Sequence, residues 1–242
     1  MPRRSVGAIP APRQSMMFGR AAGSVSVRAR GATPAARLPL AALAVAPTIG
    51  LVLAGIERRW MDDDGFINLR IVRNLLEGHG LVFNLGERVE AGTSPLWLGL
   101  LALLGRLGAS LEQAAVFGGI ALTGLGLFLA QDGACRLNGV SPASERTPNM
   151  IVRALAGLPL GAAIFAALPP AWDYASSGLE TGLMLAWLGG SYSVLARRIT
   201  MGRGTSARTV GWVADAFLVG LGPLIRPELA LYSAAFLIPL LG

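Results

Sequence analysis

The 242-residue chain is 53% Ala, Val, Ile, Leu, Met, Phe, Trp, Tyr and Cys, only 14% charged, and carries a formal charge of +7. With a mean hydropathy of +0.55 it is no ordinary soluble domain, in which charged residues approach a quarter of the composition. One cysteine, Cys135, and one histidine, His79, exclude an internal disulfide and leave no basis for a cysteine-based zinc site, a His-rich metal site or a serine triad. Any chemistry must therefore run on carboxylates, arginines and hydroxyls.

Residues 1–37 are rich in Arg, Pro, Gly and Ser and poor in large apolar side chains, the composition of a disordered tail. Residues 1–56 hold seven arginines and no acid, and since the last of them is Arg37 the whole excess charge sits ahead of the first apolar run. That asymmetry predicts a cytoplasmic flank for a first membrane span. A nucleic-acid partner is disfavoured, because no aromatic residues interleave the arginines to stack bases. Leu38 to Ile56 is long enough to cross a hydrocarbon core of about 30 Å. It exceeds a typical signal-peptide core and ends in Glu57-Arg58-Arg59 with no clear cleavage site, so an uncleaved anchor is expected.

Residues 57–94 form the longest polar stretch and are expected to be a first extracytoplasmic loop. Within it, Phe66, Ile67, Leu69, Val72, Leu75 and Leu76 recur at helical spacing, predicting an amphipathic helix at a membrane interface that Gly78-His79-Gly80 stops. Pro95 to Leu104 is apolar but short, consistent with a re-entrant or juxtamembrane helix as much as with a span. Further apolar segments run from Ala114 to Ala130, Ile151 to Ala171, Gly182 to Ala196, Val210 to Ile225 and Leu229 to Leu241. The expected fold class is thus all-α, a polytopic helical membrane protein. Arg136, Arg146 and Arg153 fall in one connection and Arg197, Arg198, Arg203 and Arg208 in another, and both should be cytoplasmic. The alternation is consistent when 95–107 does not cross, which places 57–110, 172–181 and 226–228 on the outer side.

Three acid-bearing segments then meet one surface: Asp62-Asp63-Asp64, Ser176-Ser177-Gly178-Leu179-Glu180-Thr181 and Arg226-Pro227-Glu228. Clustered carboxylates there can take a proton from an attacking hydroxyl or hold a divalent cation (Mg, Mn or Ca) against a phosphate leaving group. Arg70, Arg73 and Arg226 suit a phosphate through bidentate hydrogen bonds. Each segment is equally readable as a polar loop marking the end of a span. Three adjacent aspartates repel one another unless something positive sits beside them, which favours a function for that turn. His79 reads as a turn residue with a lesser chance of a role. Asp215 reads as an interhelical hydrogen-bonding or span-end residue rather than a mid-membrane transport site. Trp60, Trp97, Trp172 and Trp212 read as interfacial anchors.

The run from Asp63-Asp64-Gly65-Phe66-Ile67-Asn68 through Gly78-His79-Gly80, Gly86-Glu87-Arg88-Val89-Glu90 and Thr93-Ser94-Pro95-Leu96-Trp97 resembles the first extracytoplasmic loop of a membrane glycosyltransferase group. The group is the actinobacterial terminal β-(1→2) arabinofuranosyltransferases of the AftB type, some relatives of which carry the flagellar motor control name ZomB. Ser177-Gly178-Leu179-Glu180-Thr181 and Arg226-Pro227-Glu228 match its downstream motifs in order, and the resemblance covers roughly residues 38–242. It implies a GT-C glycosyltransferase fold in the plasma membrane, with 38–242 as the N-terminal part of the transmembrane domain. It also implies a decaprenylphosphoryl arabinofuranose donor, and an acceptor at the arabinan ends of arabinogalactan and lipoarabinomannan. By the same resemblance Asp63 and Asp64 are the catalytic or metal-binding carboxylates, with Asp62 an additional acid, and Arg70, Arg73, His79, Glu90, Glu180, Arg226 and Glu228 line the substrate site. Members of the group are longer, so the chain is expected to be a fragment. Another polyprenyl-phosphate-sugar transferase and a noncatalytic membrane scaffold are the alternatives.

Overall fold

The computed structural model describes residues 34–87, 89, 92–138, 159–200 and 207–241; the basic tail up to residue 33 and Glu90 lie outside them. Every regular element among the described residues is helical. Helix α1 (Pro34–Glu57) is the first apolar run, extended by a few residues on its N-terminal side. Helix α2 (Asp63–Leu76) begins three residues earlier than the hydrophobic spacing indicates, because Asp62 caps it: its carboxylate accepts the Asp64 N–H at 3.2 Å. Asp63 and Asp64 occupy the first turn, where the helix dipole favours negative charge. The positive partner that the triplet requires is therefore supplied in part by the helix itself. Gly78, at φ 87°, takes the left-handed conformation that ends α2.

Helix α3 (Pro95–Arg106) starts on a proline, whose fixed φ suits the first helical turn. Helix α4 (Leu111–Leu137) outruns the predicted Ala114–Ala130 at both ends. The Ser110 hydroxyl caps its start by accepting the Gln113 N–H. Near its other end, Asp132 accepts from the Ser193 hydroxyl at 2.6 Å and pairs with Arg136 at 2.7 Å, so polar residues continue the helix without penalty.

The predicted segment Ile151–Ala171 is broken in its described part into α5 (Leu160–Ala167) and α6 (Pro169–Asp173), followed by a 3₁₀ turn at Tyr174–Ser176. Leu168, preceding Pro169, is forced out of the helical region to ψ 119°. Helix α7 (Thr181–Thr200) follows, then α8 (Ala207–Gly220), α9 (Gly222–Ile225) and α10 (Leu229–Leu241). The single predicted segment Val210–Ile225 is thus two helices, separated at Leu221 just ahead of Gly222-Pro223.

The centre of the bundle is the contact between α4 and α7. Gly119, Gly126 and Gly133 on α4 and Gly182 and Gly189 on α7 recur every seven residues. They meet in order: a Cβ on Gly182 would collide with the Gly119 carbonyl, one on Gly189 with the Gly126 carbonyl, and one on Gly133 would stand 2.7 Å from the Tyr192 ring. The order fixes the two helices as parallel, packed backbone to backbone. Gly55 against Ile120, and Val52 against Gly124, place α1 antiparallel to α4. Helix α8 is antiparallel to α7, with the Trp187 indole donating to the Leu218 carbonyl at 2.8 Å. Ser233 donates to the Val219 carbonyl and Trp212 to the Leu240 carbonyl, which makes α10 antiparallel to α8.

Both ends of α3 abut the first two turns of α4. Trp97 lies beside Gly118, and Gly105 packs against Leu111 and Leu76. Helix α3 therefore stays at one end of the bundle, the end that also holds α2. Arg136, Arg197 and Arg198 lie at the other. Among the described residues, Leu111–Leu137 is the one helix long and apolar enough to cross a membrane by length and composition. Large apolar side chains on the other helices also face outward, among them Ile164, Val213, Phe217, Leu231 and Ile238.

The glycine contact gives a direct test. Gly189→Ala and Gly126→Ala should each lower stability by about 1–3 kcal/mol through overpacking. Gly50→Ala, where a Cβ would meet nothing within 4 Å, should be neutral or slightly stabilising, since alanine favours a helix. Thermal unfolding of the three variants in detergent decides between a tight glycine seam and a loose one.

Candidate functional site

The three acid-bearing segments do reach the same end of the bundle, and the link between them is the turn at Ser177-Gly178-Leu179. The Asp62 N–H donates to the Ser177 carbonyl at 2.9 Å. Gly65 allows α2 to lie directly on this turn: a Cβ there would stand 2.6 Å from the Ser177 oxygen. The Trp60 N–H donates to the Ser176 hydroxyl at 3.3 Å and its indole to the Asp173 carbonyl at 2.9 Å. Residues 58–62 therefore run alongside 172–177, with the Arg58 guanidinium 4.5 Å above the Trp172 ring at the head of the pairing. Gly178 holds φ 84°, the left-handed conformation that the reversal into α7 requires. From beneath, the buried Trp97 indole donates to the Gly178 carbonyl at 3.0 Å.

Two residues beyond Gly178, Glu180 is buried and pairs with Arg226 at 3.3 Å, and Arg226 also pairs with exposed Glu228 at 2.9 Å. The predicted members Glu180, Arg226 and Glu228 thus form one cluster, drawn from the start of α7 and the α9–α10 connection. Asp63 and Asp64 are exposed at the tip of α2. The two halves are joined through the Ser177–Leu179 backbone rather than by carboxylate contact. Among the described residues, no three His, Cys, Asp or Glu side chains come together as a metal-binding group.

The remaining predicted residues lie further along α2. Arg70 is about 10 Å from Asp63 along the helix axis; it donates to Asn84 Oδ1 at 2.9 Å and stacks 4.5 Å from the Phe83 ring. Arg73, about 15 Å from Asp63 on the same measure, forms an ion pair with Glu112 at the start of α4. His79, exposed beyond the end of α2, lies 3.5 Å from Glu77. Arg70 and Arg73 fasten α2 to the following loop and to α4, and His79 is a turn residue. Glu90 lies outside the described residues. Asp215 follows its structural reading: 5% exposed, it binds Arg197 at 2.7 Å and Arg198 at 2.6 Å, closing α8 onto α7 at the end opposite the acidic turn.

Trp97 is the residue that sequence reasoning misplaced. It is 2% exposed and hydrogen-bonded at the centre of the site end, not an interfacial anchor. Its companions on the buried face, Leu98, Leu101 and Ala102, gave no contrast against a helix that is apolar all round. An apolar groove of about 700 Å³ between α4, α5 and α7 contains none of the predicted site residues. Its rim includes Asn138 and Pro159, which flank residues outside the described set.

Comparison with known proteins finds two similar enzymes, both named terminal beta-(1->2)-arabinofuranosyltransferase. The chain is 42% identical over 189 residues to the one from Mycobacterium tuberculosis, covering 76% of this chain and 28% of that protein. It is 36% identical over 194 residues to the one from Corynebacterium glutamicum, covering 74% of this chain and 26% of that protein. The chain thus spans about a quarter of the length of these curated relatives. No family model and no solved structure matches it. The resemblance to the arabinofuranosyltransferases read from the three motifs is borne out.

The acids separate by environment. Asp215→Ala leaves two arginines facing a buried, uncompensated site and should cost on the order of 3 kcal/mol. Asp63→Asn and Asp64→Asn, at exposed positions, should leave the unfolding temperature nearly unchanged. Denaturation of the three purified variants measures the contrast.

Proposed function

We propose that this chain carries the donor-side part of a membrane glycosyltransferase that moves an arabinofuranosyl unit from decaprenylphosphoryl arabinose to arabinan ends on the extracytoplasmic face. The observation that carries the reading is the assembly of Asp62-Asp63-Asp64 and the Glu180–Arg226–Glu228 cluster at one end of an apolar bundle, in a chain whose sequence is shared with two arabinofuranosyltransferases. The outward-facing apolar side chains suit a lipid environment. The arginines at one end support a cytoplasmic side there and an extracytoplasmic side for the acidic end. Apolar helices that run in both directions, α1 and α8 one way and α4, α7 and α10 the other, support a multi-pass arrangement.

In the net reaction, the bond from the anomeric carbon to the phosphate oxygen breaks and an acceptor hydroxyl oxygen bonds to that carbon. The hydroxyl proton passes to Asp63 or Asp64, exposed and free of ion pairs among the described residues, and decaprenyl phosphate leaves with the bonding electrons. Arg226 holds the phosphate by exchanging its pairing with exposed Glu228 for the donor, while buried Glu180 keeps the guanidinium aimed. A divalent cation at this turn would be held by the Asp63 or Asp64 carboxylate together with phosphate oxygens, since no third protein ligand joins them among the described residues.

The test is transfer of labelled arabinose from decaprenylphosphoryl arabinose to a short arabinan acceptor in membranes carrying the chain. The double change Asp63→Asn, Asp64→Asn keeps side-chain volume and removes basicity, and should lower transfer at least about 100-fold. Unchanged transfer would remove both aspartates from the chemistry. No transfer by the unaltered chain or by the chain extended to any downstream reading frame favours the scaffold reading, in which the ion pairs Arg73–Glu112 and Glu180–Arg226–Glu228 are purely structural.

A further inference from the structure

We infer that Trp97 is a positioning residue that couples the two halves of the site, and that the non-traversing helix α3 serves to deliver its indole beneath the Ser177-Gly178-Leu179 turn. The proposal rests on the glycosyltransferase reading for its functional consequence and on geometry for everything else.

Two carbonyls define the turn. Ser177 O accepts the backbone N–H of Asp62, the first residue of the acidic cap. Gly178 O accepts the Trp97 indole N–H. Adjacent peptide planes are thus held by two donors from different helices, one on the acid side and one from below. The Glu180 carboxylate, two residues on, is directed to Arg226. Rotation of the Gly178–Leu179 peptide would move Glu180 and, through the adjoining Ser177–Gly178 plane, the Asp62 cap, and the indole hydrogen bond opposes that rotation.

The surrounding sequence fits this role. Gly178 has φ 84° and no side chain to brace it. Met61 packs against Gly178, with a Cβ there 3.2 Å from Met61 carbons, so the turn is roofed by the residue just before the acids. Gly118 on α4 lies beside the ring: a Cβ there would stand 3.6 Å from Trp97 Cη2, an ordinary packing distance. Pro95, two residues before, fixes the start of the helix that aims the ring. The indole is the only side-chain donor described to either carbonyl, and once buried it has no water with which to replace that bond.

The molecule supplies its own control. Trp187 is 3% exposed and its indole also donates to a main-chain carbonyl, Leu218 O at 2.8 Å, but in the α7–α8 contact away from the acidic turn. Trp97→Phe and Trp187→Phe remove the same kind of bond and similar ring volume. If Trp97 acted through packing alone, the two changes would have the same signature.

Two readouts on the 242-residue chain in detergent separate the possibilities. Trp97→Phe should speed amide exchange in peptides covering 60–66 and 177–181 by about tenfold, the effect of losing one buried hydrogen bond. Trp187→Phe should leave those peptides unchanged. In arabinose transfer, Trp97→Phe should lower kcat with KM for the donor nearly constant, and Trp187→Phe should not. Equal exchange in the two variants overturns the proposal, whatever transfer shows. Faster exchange at 60–66 and 177–181 with kcat unchanged also overturns it, leaving Trp97 a purely structural brace. Absence of transfer both in the unaltered chain and in the chain extended to any downstream reading frame overturns the glycosyltransferase reading and with it the catalytic half of the inference, while exchange still decides whether Trp97 holds the turn.

Discussion

Everything in the fold is arranged around the close backbone approach of α4 and α7. An ordinary pair of helices separates its axes by the thickness of two side-chain layers, 8–10 Å. Here glycines at seven-residue intervals remove those layers on both helices, so main-chain atoms of one rest on main-chain atoms of the other. In an apolar medium, where burying hydrocarbon brings no gain, such small-residue seams are what allow dispersion and backbone contact to hold helices together. The seam also fixes direction. Because α4 and α7 are parallel, the chain between them must return the length of the bundle, and it re-enters through α5, α6 and the 3₁₀ turn. That return brings Ala175 onto Gly119, where a Cβ would stand 2.5 Å from the Ala175 carbonyl. The Ser177-Gly178 turn is therefore placed by the seam before any residue of the site is considered.

The two ends of the seam are finished in opposite ways. At the arginine end, Asp132, Ser193 and Arg136 join α4 to α7, and Asp215 with Arg197 and Arg198 joins α8 to α7. These acids are paired and spent. At the other end Glu180 alone is buried with its arginine, while Asp63 and Asp64 stand exposed at the start of a helix. The helix N-terminus lowers the cost of grouping the aspartates but leaves their carboxylates outward. A turn that needed only to end a span would not require three acids, a glycine contact and two indoles. The asymmetry between spent acids at one end and available acids at the other is what supports the proposal that the chemistry lies at α2.

Much of this was legible in the sequence because hydropathy and charge are strong signals in an apolar chain. The helices over Leu229–Leu241 and Pro95–Arg106, the amphipathic α2 with its three acids, and the pairing role of Asp215 all follow from local pattern. So did the confinement of α3 to one end of the bundle, which arginine placement favoured. What failed was punctuation and face. The breaks at Leu168 and Leu221 were hidden inside continuous apolar runs, although Pro169-Pro170 and Gly222-Pro223 mark them. The partners of Arg70 and Arg73, Asn84 and Glu112, lie 14 and 39 residues away in sequence and left no local signal. Trp97 was read from its nearness to a span end, because in a helix apolar on every side periodicity carries no information about which face is buried.

The long-range partners explain how the downstream motifs act on the first loop. Met61 and Asp62 touch Gly178 and Ser177, Trp97 bonds Gly178, and Glu180 bonds Arg226. Each of the three motifs thus completes a contact that another begins. The acidic cap of α2 is oriented by the turn, the turn is supported by α3, and the residue that follows the turn is aimed by the α9–α10 connection. A change in any one segment alters the carboxylates that the others present. The order of the motifs along the chain is the order in which the bundle returns to the same end, and the site exists because each return stops at the same level of α4.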